Sequence, residues 1–309
     1  MAEARRKKAC YGTVPPIITP VDHNERVDEA GFRSLLRYCM DAGIHGIFVA
    51  GSNGECMALT QKERDRAIAI ALDECRGRVP VVSGVMDTST MRVVENIKKL
   101  EQMGGEYAVI TPVFYARHAS PQETIRHFEE ISKQTSAKLV IYNIPMFTGC
   151  MLRPETIFEL AKIDKVVGYK DSGGSLPDFL SCVEHFKGSD FFLLQGTANL
   201  GAVSMLAGGD GYVPSLAPVF PELYNGVYDA ACSDNSEQTF AWNKVLCHAQ
   251  KLLSMGTNAT SVTKYAISLK GYTDSRVIAP SLPLEEEEKV RIANHIAKIN
   301  EEIRQLRGE

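Results

Sequence analysis

The chain lacks a CxxC pair, a cysteine–histidine cluster at metal-ligand spacing, a basic stripe and an apolar run of membrane-spanning length. Each absence removes a class of function. The eight cysteines (Cys10, Cys39, Cys56, Cys75, Cys150, Cys182, Cys232 and Cys247) stand singly, so they read as reduced thiols in a cytoplasmic protein rather than as a zinc site or a disulfide framework. A formal net charge of −4, with acids and bases interspersed, offers nothing that would track a phosphate backbone, so nucleic acid is not an expected partner. Residues 1–8 are charged but lead into no apolar stretch of signal-peptide length, and they read as a solvated tail. What remains, 44% hydrophobic and 23% charged residues, describes a globular chain with material for one large core.

From Gly12 onward, short apolar runs alternate with amphipathic helical segments, the pattern of repeated βα units. Strands are expected at 13–19, 46–50, 79–85, 107–111, 138–143, 166–170, 191–195 and 211–215. Helices are expected at 29–42, 61–74, 90–102, 121–133, 153–161, 176–186, 200–206 and 221–231. Eight such units close most naturally into a (β/α)8 TIM barrel. An open doubly wound sheet is the alternative, but no GxGxxG turn follows the first strand. Thr60 with Glu63, and Ser120-Pro121 with Glu123, read as capping boxes that place helix starts. Three more helices, at 237–254, 261–270 and 284–305, follow without intervening strands. The expected organisation is therefore a tail over 1–11, a barrel over 12–232 and a helical appendage over 233–309 packed on it. The four glutamates from Glu285 to Glu288 fall in the first turn of the last helix, where acids complement the helix dipole.

Weight falls on the C-terminal ends of the strands, where barrels of this kind build their sites. Lys170 ends an apolar strand and precedes the Gly-rich Ser172-Gly173-Gly174, so its ammonium is expected where water is scarce. Burial lowers a lysine pKa, and the free amine can attack a ketone to form a Schiff base. Tyr142 ends the preceding strand and could relay a proton to that centre. Gly51-Ser52-Asn53-Gly54-Glu55 ends the second strand as a small-residue loop whose N–H groups suit a carboxylate. Each of the three has an ordinary reading as well, namely a surface lysine, a core tyrosine and a tight turn. After the fourth strand, the run from Thr111 to His118 adds Tyr115, Arg117 and an imidazole.

Together these stretches resemble the dihydrodipicolinate synthase/N-acetylneuraminate lyase family of class I, pyruvate-handling barrels. The likeness rests on Gly51-Ser52-Asn53-Gly54-Glu55 (family G-S/T-x-G-E), Tyr142-Asn143-Ile144-Pro145 (family Y-N-I/V-P) and Gly168-Tyr169-Lys170-Asp171 (family G-x-K-D/E). Three motifs in order, each at a strand end, are far more specific than any one. The resemblance implies Lys170 as the imine-forming lysine, Tyr142 as the proton relay, Gly51, Ser52 and Asn53 as the cradle of the pyruvate carboxylate, and Val213 presenting its carbonyl to the site. It also implies a homotetramer built as a dimer of dimers, with no cofactor.

Departures from the family pattern bear on the substrate. Dihydrodipicolinate synthases usually carry an arginine where this chain has Phe147, and a tyrosine acting between subunits where it has Phe114, with Tyr115 next and able to substitute. Sialic acid lyases hold sugar hydroxyls with an acidic pair after the seventh strand, where this chain has Gln195-Gly196-Thr197-Ala198-Asn199. The pattern stands closest to the aldolases of 4-hydroxy-2-oxoglutarate and 2-keto-3-deoxy sugar acids. The expected activity is a Schiff-base lyase that cleaves or forms a 4-hydroxy-2-oxo acid with pyruvate as the enamine component. Phe147 and Phe114 lead us to expect an uncharged aldehyde partner. Condensation of pyruvate with aspartate semialdehyde is the second expectation, and a dehydratase using the same imine the third. A non-catalytic pyruvate-binding relative is the rival from another class.

Overall fold

The computed structural model describes residues 8–309. Eight strands form one parallel sheet: β1 (Gly12–Thr13), β2 (Ile47–Val49), β3 (Val81–Gly84), β4 (Tyr107–Ile110), β5 (Lys138–Asn143), β6 (Val166–Asp171), β7 (Phe192–Gln195) and β8 (Gly211–Tyr212). Neighbours run in the order β1-β8-β7-β6-β5-β4-β3-β2. The ring closes just beyond β1, where Phe48 N–H donates to Pro15 O at 3.0 Å and Ile17 N–H donates to Phe48 O at 2.9 Å. The architecture is a (β/α)8 barrel with additional C-terminal helices, and each strand is lined by buried aliphatic residues because helices cover the sheet's outer face.

β1 and β8 are far shorter than the expected 13–19 and 211–215. Proline explains this: Pro15, Pro16 and Pro214 have no N–H to give a ladder. The capping boxes are also only half made. Thr60 and Ser120 do accept from the N–H groups of Glu63 and Glu123, but the Glu63 carboxylate accepts from Val27 N–H at 2.8 Å and that of Glu123 from Ala119 N–H at 2.6 Å. The closed box belongs to the last helix, Glu286–Arg307, between Glu285 and Glu288.

The solvated-tail expectation fails at its end. Lys8 donates to Phe191 O at 2.8 Å and pairs with Asp210 at 3.0 Å, and Cys10 is buried. Residues 1–7 lie outside the described residues. Beyond the barrel, helix Ser236–Gln250 packs on Pro221–Cys232 and on Glu286–Arg307, so Leu246, Ile292 and Ile299 join the same apolar core as the strands. No helix among the described residues is long and apolar enough to cross a membrane.

Candidate active site

Lys170 enters the barrel because β6 can lie close to its neighbour. A Cβ on Gly168 would fall 2.3 Å from the Phe192 ring, so the smallest residue is required two positions before the lysine. In register, Lys170 faces Tyr142 of β5 and Leu194 of β7. Its side chain is 5% exposed, with Nζ 3.9 Å from the centroid of the Tyr142 ring and 4.4 Å from that of Phe48. Burial holds its pKa well below the ordinary lysine value, and the opposing pull comes from the Cys56 thiol. An amine so placed is neutral and nucleophilic at a lower pH than a surface lysine.

Tyr142 is buried, and desolvation pushes its phenol up to about 12, while hydrogen bonds with Ser172 and Ser52 act against that rise. The same ring therefore touches the lysine and the loop after β2. That loop is a single 3-10 turn, Ser52–Gly54, whose opening N–H groups have no partner within the turn. Gly51 is obligatory before it, since a Cβ there would sit 2.7 Å from the Phe48 ring. The Asn53 amide is engaged elsewhere, donating to Pro16 O at 2.6 Å and Ser215 O at 3.3 Å, so it anchors the loop to the chain after β1 and β8. With both side-chain donors committed, what Asn53 offers a carboxylate is its backbone N–H. Val213, just after β8, is buried and donates its N–H to Gln195 O at 2.8 Å.

A cavity of about 390 Å³ opens above this floor, lined by Ser52, Cys56, Met57, Met86, Thr111, Phe114, Tyr142, Ile144 and Phe147, among others. Its lining is mostly apolar. Phe147 is carried by Pro145–Thr148, a short helix with proline in its first turn that the sequence pattern does not show, and the residue is 61% exposed at the mouth. Tyr115 does not join this group: its backbone is left-handed at φ 71°, and its side chain is 99% exposed. Of the two nearby arginines, Arg153 is paired with Asp178 at 2.9 Å. Arg117 lies against Gly149, just past the Phe147 helix, and its guanidinium is not part of the cavity wall.

Two further groupings escaped sequence reasoning. Behind the lysine, Asp171 Oδ1 accepts from Tyr169 OH, Asn143 Nδ2 and Gly173 N–H, each at 2.9 Å. Burial raises the Asp171 pKa against those bonds, and the cluster stiffens the ends of β5 and β6. At the cavity wall, Glu55 forms an ion pair with Lys264 of helix Ala259–Ser268. The sequence signal was a lysine among residues that all turn inward, Val262, Thr263, Ala266 and Ile267, but nothing in it named the partner.

Comparison with known proteins agrees with this geometry. A model of the dihydrodipicolinate synthetase family matches residues 9–299. The 4-hydroxy-tetrahydrodipicolinate synthase of Methanopyrus kandleri is 31% identical over 290 residues, covering 93% of this chain and 96% of that protein. Dihydrodipicolinate synthase from Bacteroides thetaiotaomicron superposes with a TM-score of 0.90 at 28% identity, covering 94% of this chain and 99% of that one. YagE, a prophage protein of E. coli K12 solved in complex with pyruvate, gives 0.89 at 26%, covering 94% and 98%.

Proposed function

The chain belongs to the dihydrodipicolinate synthetase family, and from that premise we propose that it is a class I carbon–carbon lyase with Lys170 as its imine-forming residue. The observation that carries the reading is the buried amine of Lys170, 3.9 Å from the Tyr142 ring centroid beside an apolar cavity. In the synthetic direction the neutral amine adds to C2 of pyruvate, and loss of water leaves an iminium. Loss of a C3 proton gives the enamine, whose C3 attacks the aldehyde carbon; the new alkoxide takes a proton, and water releases the 4-hydroxy-2-oxo acid. Cleavage runs the same steps backward. Tyr142 moves protons at the amine and at the substrate hydroxyl, in contact with Ser52 and Ser172. The imine is itself the electron sink, so the chemistry calls for no cofactor.

The pyruvate carboxylate is assigned to the turn at Gly51, Ser52 and Asn53, with Val213 nearby. The aldehyde is assigned to the half lined by Phe114, Phe147, Met57 and Ile144. A second carboxylate there would be desolvated without a partner, which favours an uncharged aldehyde. The competing substrate is aspartate semialdehyde: the Methanopyrus relative is named for the synthase that consumes it, and Arg117 lies within reach of Gly149. Comparing kcat/KM for pyruvate with neutral aldehydes, glyoxylate and aspartate semialdehyde decides between them. We expect neutral aldehydes to lead and Phe147→Arg to shift preference toward the acidic ones. A wild-type preference for acidic aldehydes would overturn the apolar-mouth argument.

The proposal extends to a cytoplasmic homotetramer, a dimer of dimers, in which the exposed Tyr115 acts only across a subunit contact. The barrel over 12–232 supplies the chemistry and the helices over 233–309 support it. A pyruvate-binding protein without turnover is the rival, and the buried lysine argues against it, because an idle copy gains nothing from an amine that is costly to desolvate.

A further inference from the structure

The loop that begins with the proposed carboxylate cradle ends at Glu55, whose backbone is left-handed at φ 54°. Its side chain is only 8% exposed, and both carboxylate oxygens are used by the C-terminal part of the chain. One pairs with Lys264, which is 0% exposed, and the other accepts from Ile278 N–H at 2.9 Å. Ile278 opens a stretch that runs past the cavity mouth. Ala279 N–H donates to Glu25 at 2.9 Å, Ser281 lines the cavity, and Leu282 O accepts from Ser261 at 2.6 Å and Asn258 at 3.2 Å. Glu55 is thus where the Gly51–Glu55 turn, helix Ala259–Ser268 and the stretch over 278–282 are joined. The remaining pins on the turn are neutral: Thr19 Oγ1 donates to Gly54 O at 2.8 Å, and Asn53 bonds to Pro16 O.

We propose that Lys264, acting through Glu55, is a positioning residue for the pyruvate half of the site. The ion pair holds the turn bearing Ser52 at the height where its N–H groups meet a carboxylate, and it ties Ser281 to the same frame. The inference rests on the reading of the Gly51–Glu55 turn as the pyruvate cradle. Its physical basis is that a buried carboxylate stripped of its cation must find water or a proton, and the turn carrying it moves to do so. Loss of a hydrogen bond from the turn to a charged carboxylate weakens binding by roughly ten- to a hundredfold. Burial lowers the Lys264 pKa while Glu55 opposes that shift, as expected of a pair whose charge depends on its partner.

The test compares wild type, Lys264→Met and the double variant Glu55→Gln/Lys264→Met. Pyruvate half-saturation is read from thermal stabilisation, which requires binding but not imine formation, and KM and kcat are read separately by turnover with one aldehyde. Lys264→Met is expected to raise half-saturation and pyruvate KM by about tenfold or more, with kcat at saturation changed less than about threefold. The double variant should recover most of that loss, because a neutral amide still accepts from Ile278 and no buried charge is left without a partner. Half-saturation within about twofold of wild type in Lys264→Met, or a fall in kcat at unchanged KM, overturns the proposal. So does a folded double variant that binds no better than the single one. If Lys264→Met fails to fold, Lys264→Gln, which keeps a donor toward Glu55 but not the charge, takes its place: half-saturation weakened by about tenfold supports the pair's role, and half-saturation within about twofold of wild type refutes it. Wild-type protein that is stabilised by pyruvate without forming an adduct would sink the imine reading and leave this binding comparison intact.

Discussion

At the residue scale, the account turns on one amine held where its charge is penalised. The folded-state pKa of Lys170 lies well below that of the unfolded chain, so between the two values the unfolded state binds the extra proton. Stability associated with this group is therefore fully present only above the unfolded value and is lost as pH falls through the folded one. Replacing Lys170 by Met, which fills similar space without a charge to desolvate, should raise Tm at neutral pH by roughly a few degrees. The advantage should shrink as pH rises toward 10.5, the ordinary lysine value. Scanning calorimetry of both proteins from pH 7 upward checks this, and a less stable variant at neutral pH would mean that the amine is charged and paired in the folded state.

At the scale of elements, the lysine is only as well placed as its strand. Gly168→Ala puts a methyl 2.3 Å from the Phe192 ring and must push β6 or the ring aside, carrying Lys170 with it. We expect a loss of about 1–3 kcal/mol in stability together with slower imine formation. Denaturant unfolding and trapping kinetics test this, and unchanged values for both would show that β6 has slack. Much of this scale was legible in the sequence. β5 spans Lys138–Asn143 and two helices span Gln61–Glu74 and Thr90–Gln102, as read from their apolar periodicity. The misreadings have separate causes. β1 and β8 are shorter than their apolar runs because Pro15, Pro16 and Pro214 lack the N–H groups that would extend the ladder. The Pro145–Thr148 helix is too short to show a period, though it carries the ring that shapes the mouth. For the site, the three strand-end motifs were visible because their chemistry is local. The Glu55–Lys264 pair was not, because its halves lie far apart in the chain and only folding brings them together. What the motif does not reveal is the work of the Asn53 side chain, whose amide donates to the backbone of two neighbouring loops.

At the scale of the whole molecule, the barrel brings the ends of β2, β5 and β6 to one rim, and the C-terminal helices return to that rim through Glu55 and Ser281. In the proposed function the reactive chemistry of the 309-residue chain rests on the buried amine of Lys170. The most direct measurement is incubation of the protein with pyruvate and borohydride, followed by peptide mass spectrometry. The account predicts one reduced pyruvate adduct, on the peptide containing Lys170, and none in Lys170→Met. A folded wild-type protein that gives no adduct, or an adduct on a different lysine such as Lys264, would contradict it.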